Sequence, residues 1–117
     1  MKNRFFVSAV RKINLVYSKN GKLCGNRFEL KLVFSSQKLD KNGFVVDFSR
    51  VEKILANLEA MLKEKNANSV LEKDEFSFGD FLAFIADFVD KSLNEAHILL
   101  EEVSLSNDEE GYALRFD

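Results

Sequence analysis

The sequence predicts an α+β fold in the order ββααββ: a four-stranded antiparallel sheet with two helices on one face. Three observations carry this expectation. Two runs of apolar–polar alternation meet at Asn20-Gly21, a dipeptide whose residues both tolerate positive φ and so close hairpins. From Val51 the apolar period lengthens to that of a helix. Beyond His97 alternation returns. Strands, helices and strands in succession separate into a sheet layer and a helix layer.

The first strand is read over residues 4–17, with Phe5, Val7, Ala9, Ile13, Leu15 and Tyr17 on one face and Ser8, Lys12 and Asn14 on the other. The second is read over 27–34, where Phe28, Leu30, Leu32 and Phe34 alternate with Arg27, Glu29 and Lys31. Ser35 to Asn42 is a polar connection, and Asp40-Lys41-Asn42-Gly43 reads as a turn. Val51, Ile54, Leu55, Leu58, Met61 and Leu62 then form one helical stripe, with Asp47 or Ser49 as its cap. The polar stretch Lys63–Glu75 is expected to be a loop. Ser77-x-x-Asp80 has the pattern of a helix start, followed by the stripe Phe81, Phe84, Ile85, Phe88 and Val89. A third strand is expected over His97–Leu105, a turn through Asn107–Gly111, and a last strand carrying Tyr112, Leu114 and Phe116 on one face.

The chain's 117 residues suit one domain spanning 1–117, with no internal repeat. A net charge of −2 with both signs interspersed offers no field for nucleic acid or an anionic membrane. No apolar run approaches the roughly 18 residues of a spanning helix. Met1-Lys2-Asn3-Arg4-Phe5 leads into the first strand without the architecture of a signal peptide. A single cysteine excludes an intrachain disulfide and fits a reducing cytoplasm. Proline is absent, so Gly, Asn and Asp shape the loops, and 12 phenylalanines point to a core or a self-association surface built from flat rings.

Three motifs carry a family resemblance. Phe6-Val7-Ser8-Ala9-Val10, Cys24-Gly25-Asn26-Arg27-Phe28 and Gly43-Phe44-Val45-Val46-Asp47-Phe48 resemble, in order, the F-x-A-A-H, H-G-H-N-Y and G-M-V-V-D-F of the 6-pyruvoyltetrahydropterin and 6-carboxytetrahydropterin synthases. The resemblance implies the tunnelling fold (T-fold), in which sheets of several subunits join edge to edge into a barrel, and hence a homo-oligomer, a trimer or a hexamer of two rings. It also implies a zinc ion on three histidines, whose positions are taken here by Val10, Cys24 and Asn26. Valine has no ligating atom, an amide oxygen is a weak ligand and one thiol falls short of a zinc set, so no metal cofactor is expected. Arg11 adds a positive charge beside Val10.

Other family positions have changed too. The family's pterin-anchoring glutamate falls at Asn107, with Asp108, Glu109 and Glu110 one to three residues on. A carboxylate suits that role because it accepts two hydrogen bonds from adjacent N–H groups. The family's P-T-x-E-N falls at Phe76-Ser77-Phe78-Gly79-Asp80, where Ser77 keeps the hydroxyl. No cysteine precedes Cys24 and no L-D-H triplet follows the first helix; His97 is read as a half-exposed edge residue. Gly43, Val45, Val46, Asp47 and Phe48 are read as architectural: a turn, packing, a cap and a contact with the sheet.

Three readings of function result. The first is a zinc-free, non-catalytic relative binding a pterin or purine at a subunit interface through Asn107, Ser77, Cys24, Asn26 and Arg27. The second is an enzyme of pterin, folate or deazapurine metabolism with metal-independent chemistry like that of dihydroneopterin aldolase, whose usual lysine falls at Asn107. The third is an oligomer that serves only for interaction.

Overall fold

Alternation over both runs builds a long hairpin: β1 (Phe5–Lys19) and β2 (Lys22–Ser36) pair along their whole length. The computed structural model describes residues 3–116, so the reading of Met1 and Lys2 lies outside the described residues. Asn20 (φ 54°) and Gly21 (φ 74°) close the hairpin as a two-residue turn. Helices α1 (Phe48–Glu64), α2 (Ala67–Leu71) and α3 (Phe78–Leu93) follow, then β3 (Leu99–Ser106) and β4 (Gly111–Arg115). The sheet is antiparallel in the order β1-β2-β3-β4, which is the expected α+β architecture.

The core lies between the sheet and the helices. Ala9, Ile13, Leu15 and Tyr17 from β1, Phe28, Leu30, Leu32 and Phe34 from β2, and Val103 and Leu105 from β3 pack against Val51, Ile54, Leu55 and Leu58 of α1 and Phe81, Ile85 and Val89 of α3. Asp47 caps α1 by accepting the Ser49 N–H at 3.0 Å, and Ser77 caps α3 by accepting the Asp80 N–H. Gly43 adopts φ 84° in the turn before α1, and Val45 and Val46 are buried behind it. Arg50 ties the helices together, pairing with Glu95 and donating to the Leu93 carbonyl at the end of α3.

The structure departs from the sequence reading in several places. Residues 63–75 are not all loop: α1 runs on to Glu64, and α2 forms a third, short helix. Asn66 caps α2 through the Ser69 N–H, and Glu72 ends it in the left-handed region. Phe5 and Phe48, expected against the core, are 45% and 40% exposed because each sits at an element's first residue, beyond the helix cover. Phe116 lies past the end of β4 and is exposed. His97 precedes β3 rather than opening it, with Nε2 3.6 Å from Glu95.

β3 pairs with β2 only from Glu29 to Ser35. The distal half of the hairpin therefore extends past β3, and this overhang, with the neighbouring β3–β4 turn, holds most of the residues singled out by motif.

Candidate functional site

Register decides which side chains can meet. In β2, Cys24 and Asn26 lie on the helix-facing side, opposite Tyr17 and Leu15. Val10 lies opposite Lys31, on the other face of the sheet, and is 49% exposed. Five rungs separate it from Asn26, about 16 Å along the strand at roughly 3.3 Å per residue. The three positions matched to the family's zinc ligands thus do not converge. The β1 residues that share rungs and face with Asn26 and Cys24 are Leu15 and Tyr17, and neither supplies a zinc donor of the usual kind. The residues present do not fit a zinc ion. Arg11 also proves to face the helices, where it pairs with Glu52 (3.0 Å) and Glu59 (3.1 Å) of α1.

Cys24 and Asn26 border an aromatic cluster. Asn26 Nδ2 donates to the Tyr17 hydroxyl at 3.2 Å, and the half-buried Cys24 thiol approaches the Lys22 carbonyl at 3.8 Å. The Tyr17 ring stacks on Phe76 (centroids 4.4 Å apart) and meets Phe78 edge-on (5.5 Å). Phe78 in turn stacks face to face on Tyr112 of β4 at 4.0 Å, with the Lys19 ammonium 5.9 Å from its ring centre. Ser77 lies between Phe76 and Phe78 in sequence, and its hydroxyl oxygen is occupied as the α3 cap. Glu110 accepts the Tyr112 hydroxyl proton at 3.0 Å, which holds that phenol above its ordinary pKa.

Arg27 and Asn107 meet elsewhere, at the notch where β3 turns away from β2. There Lys12, Arg27, Phe28, Glu29, Ser106, Asn107 and Asp108 line an open hollow of about 420 Å³. Asn107 Oδ1 accepts the N–H groups of Glu109 (2.9 Å) and Glu110 (3.0 Å), so its oxygen shapes the turn and only its amide N–H groups face outward chemistry. Among the described residues, Lys12, Arg27, Glu29 and Asp108 make no ion pair. The motif-derived residues therefore divide: Cys24, Asn26 and Ser77 belong to the aromatic cluster, Arg27 and Asn107 to the hollow, and Val10 to neither.

The sequence offered Arg27, Arg11 and Lys12 as residues for an anionic substrate; Arg27 and Lys12 do line the hollow, while Arg11 faces the helices. Motif matching passed over Glu29, which the alternation places on the polar face of the hairpin, on one rung with Lys12. It also passed over Asn68, buried at 7% exposure, whose side chain bonds Ser18 on both its N–H (2.7 Å) and its carbonyl (2.9 Å). No local pattern announces that tertiary contact.

Residues 1–115 match the sequence model of the 6-pyruvoyl tetrahydropterin synthase family. The structure of Caenorhabditis elegans 6-pyruvoyl tetrahydropterin synthase superimposes with a TM-score of 0.77. The superposition covers 98% of this chain and 97% of that one, at 7% identity, so the likeness speaks to the fold alone. No curated protein sequence gives a match.

Proposed function

Since the chain belongs to the 6-pyruvoyl tetrahydropterin synthase family, we propose that it is a zinc-free, non-catalytic member that binds a pterin or purine ring at a subunit interface. The observation that carries this reading is the fate of the metal positions. Val10 has no ligating atom and lies on the opposite face from Cys24 and Asn26, about five rungs away at roughly 3.3 Å each. Without the ion there is no Lewis acid, and the described residues offer Cys24 no histidine base, His97 lying at the other end of β3.

Ring binding is supported by the hollow beside the β3–β4 turn. Its volume suits a bicyclic ring. Glu29 and Asp108 supply carboxylates that accept the paired N–H groups of a pterin or guanine edge. Arg27, Lys12 and the Asn107 amide supply donors for ring carbonyl and phosphate oxygens. The hollow is open on one side, which suits completion by another copy in a homo-oligomer of trimeric or hexameric size. The lone cysteine suits a cytoplasmic setting.

Thermal-shift titration with neopterin, pterin-6-carboxylate, guanine and GTP, each with and without zinc, tests the reading. A ligand that binds only the native state raises the midpoint in a concentration-dependent way. The expected result is a shift with at least one of the four, indifferent to zinc and lost in Glu29→Gln or Asp108→Asn. A shift that requires zinc, or none across the panel, overturns it.

A further inference from the structure

We propose that a second hollow, lined by Arg4, Lys38 and His97 at the other end of β3, seats the phosphate group of a small phosphate monoester. It lies between the chain entering β1, the segment leaving β2 and the segment entering β3. Its volume of about 520 Å³ is that of a small-molecule site. Leu99 to Ser106 is seven steps of β3, so about 23 Å at roughly 3.3 Å each separates it from the Asn107 hollow. It uses none of the residues of the ring-binding reading and stands or falls apart from it.

Three features point to this ligand. The first is charge. The lining holds Arg4, Lys38 and His97 and no carboxylate. In the Asn107 hollow Glu29 and Asp108 offset Lys12 and Arg27, and Glu72 borders both hollows beside α2. In a chain of net charge −2, a cationic hollow without a counter-charge draws an anion.

The second is how the cations are held. Ser35 and Ser36 are fully buried at the end of β2, and each positions one of them. Ser35 donates its proton to Glu101 at 2.6 Å, which leaves its oxygen to accept Arg4 Nε (3.1 Å) and Nη2 (3.0 Å). Glu101 thus orients the fork through a hydroxyl without pairing with it, and the Nη1 N–H groups are left for a ligand. Ser36 Oγ accepts the Lys38 N–H at 3.2 Å, fixing the bend that carries Lys38. Among the described residues Lys38 makes no ion pair. Glu95, 3.6 Å from His97, is already paired with Arg50, and the imidazole offers an N–H in either charge state. The third feature is the wall. Leu99, 47% exposed, and Ala96 offer apolar cover. A bare ion makes no use of that cover, whereas the organic body of an ester does.

Isothermal titration calorimetry at fixed ionic strength, with inorganic phosphate and phenyl phosphate as probes against a chloride reference, tests the proposal. Saturable one-site binding of both is expected, with phenyl phosphate tighter because its ring covers Leu99. Lys38→Gln and Arg4→Gln are each expected to weaken phenyl phosphate about tenfold, the worth of one charge-assisted hydrogen bond. Arg27→Gln, in the Asn107 hollow, is expected to leave it unchanged. Lys38 is exposed, so its substitution spares the fold; should Arg4→Gln misfold, Lys38→Gln decides alone. No saturable binding, binding unchanged in Lys38→Gln, or binding lost in Arg27→Gln each overturns the proposal. Inorganic phosphate binding as tightly as phenyl phosphate does so too, because the apolar wall would then have no occupant.

Discussion

Asn68 sets how the polar 65–77 segment is held to the sheet, and its removal gives the sharpest test of the fold. Ser18 lies on the free edge of β1, with its N–H and carbonyl pointing away from β2 because the neighbouring Lys19 points inward. The Asn68 side chain takes the place of a strand there: Oδ1 accepts the Ser18 N–H at 2.7 Å, and Nδ2 donates to the carbonyls of Ser18 (2.9 Å) and Asp74 (3.0 Å). The Phe76 N–H adds a second bond to the same Ser18 carbonyl at 3.2 Å. Asn68→Ala deletes three bonds worth about 1 kcal/mol each. Ser18 is half-buried, so water recovers part of that, and the expected loss is about 2–3 kcal/mol. At about 4 °C per kcal/mol for a chain of this size, the midpoint falls by about 8–12 °C.

The assays are urea unfolding for the free energy and thermal unfolding for the midpoint, both followed by far-ultraviolet circular dichroism at fixed protein concentration, since association would otherwise move the midpoint. Asn68→Asp separates hydrogen bonding from mere packing. It keeps the acceptor for Ser18 but turns a carboxylate toward two carbonyl oxygens, so its own protonation is favoured in the fold. Its penalty relative to wild type is therefore full at pH 7 and shrinks as pH falls toward about 4. A loss below about 0.5 kcal/mol in Asn68→Ala, or an Asn68→Asp penalty indifferent to pH, would refute the argument that these bonds anchor the segment.

Phe76→Ala, which empties a fully buried site stacked on Tyr17, is expected to cost about 3–5 kcal/mol in the same assay, and Phe76→Leu less than half of that. Asp90 is exposed at the surface of α3, and partial desolvation by its neighbours, with Asp87 adding repulsion, raises its carboxyl above its ordinary pKa. The native state therefore carries a penalty that is absent below the unfolded pKa and complete above the folded one. Asp90→Asn is expected to raise the thermal midpoint at pH 7 and to do nothing at pH 3; equal effects at both would contradict this.

The parts of the fold that were legible in the sequence are those whose signal is both periodic and long. Fifteen-residue strands show alternation many times over, and Asn20-Gly21 names the only place they can reverse. The stripes of α1 and α3 run through several turns and start at side-chain caps. Helix α2 was hidden because five residues are too few to show a period. It persists because Asn66 caps it and Asn68 fastens it to β1, and both are long-range or single-residue facts. Phe5 and Phe48 obey the pattern of their elements yet stay exposed, since periodicity says which way a side chain points but not where the opposing layer stops.

The site was harder to read because motif order and strand register are different kinds of information. Matching motifs by order along the chain assigned Val10 as the β1 partner of Cys24 and Asn26. The turn says otherwise. With Asn20-Gly21 as a two-residue loop, Lys19 faces Lys22, and every earlier rung follows by stepping one residue back on β1 and one forward on β2. That stepping brings Tyr17 to Cys24 and Leu15 to Asn26, and it leaves Val10 with Lys31. Parity then places Val10 on the face away from both. The two-residue turn by itself fixes this register. A frame can keep its motif letters while a tight turn slides them past one another. In this hairpin the slide leaves the rungs beside Cys24 and Asn26 to a buried leucine and a tyrosine held in an aromatic stack.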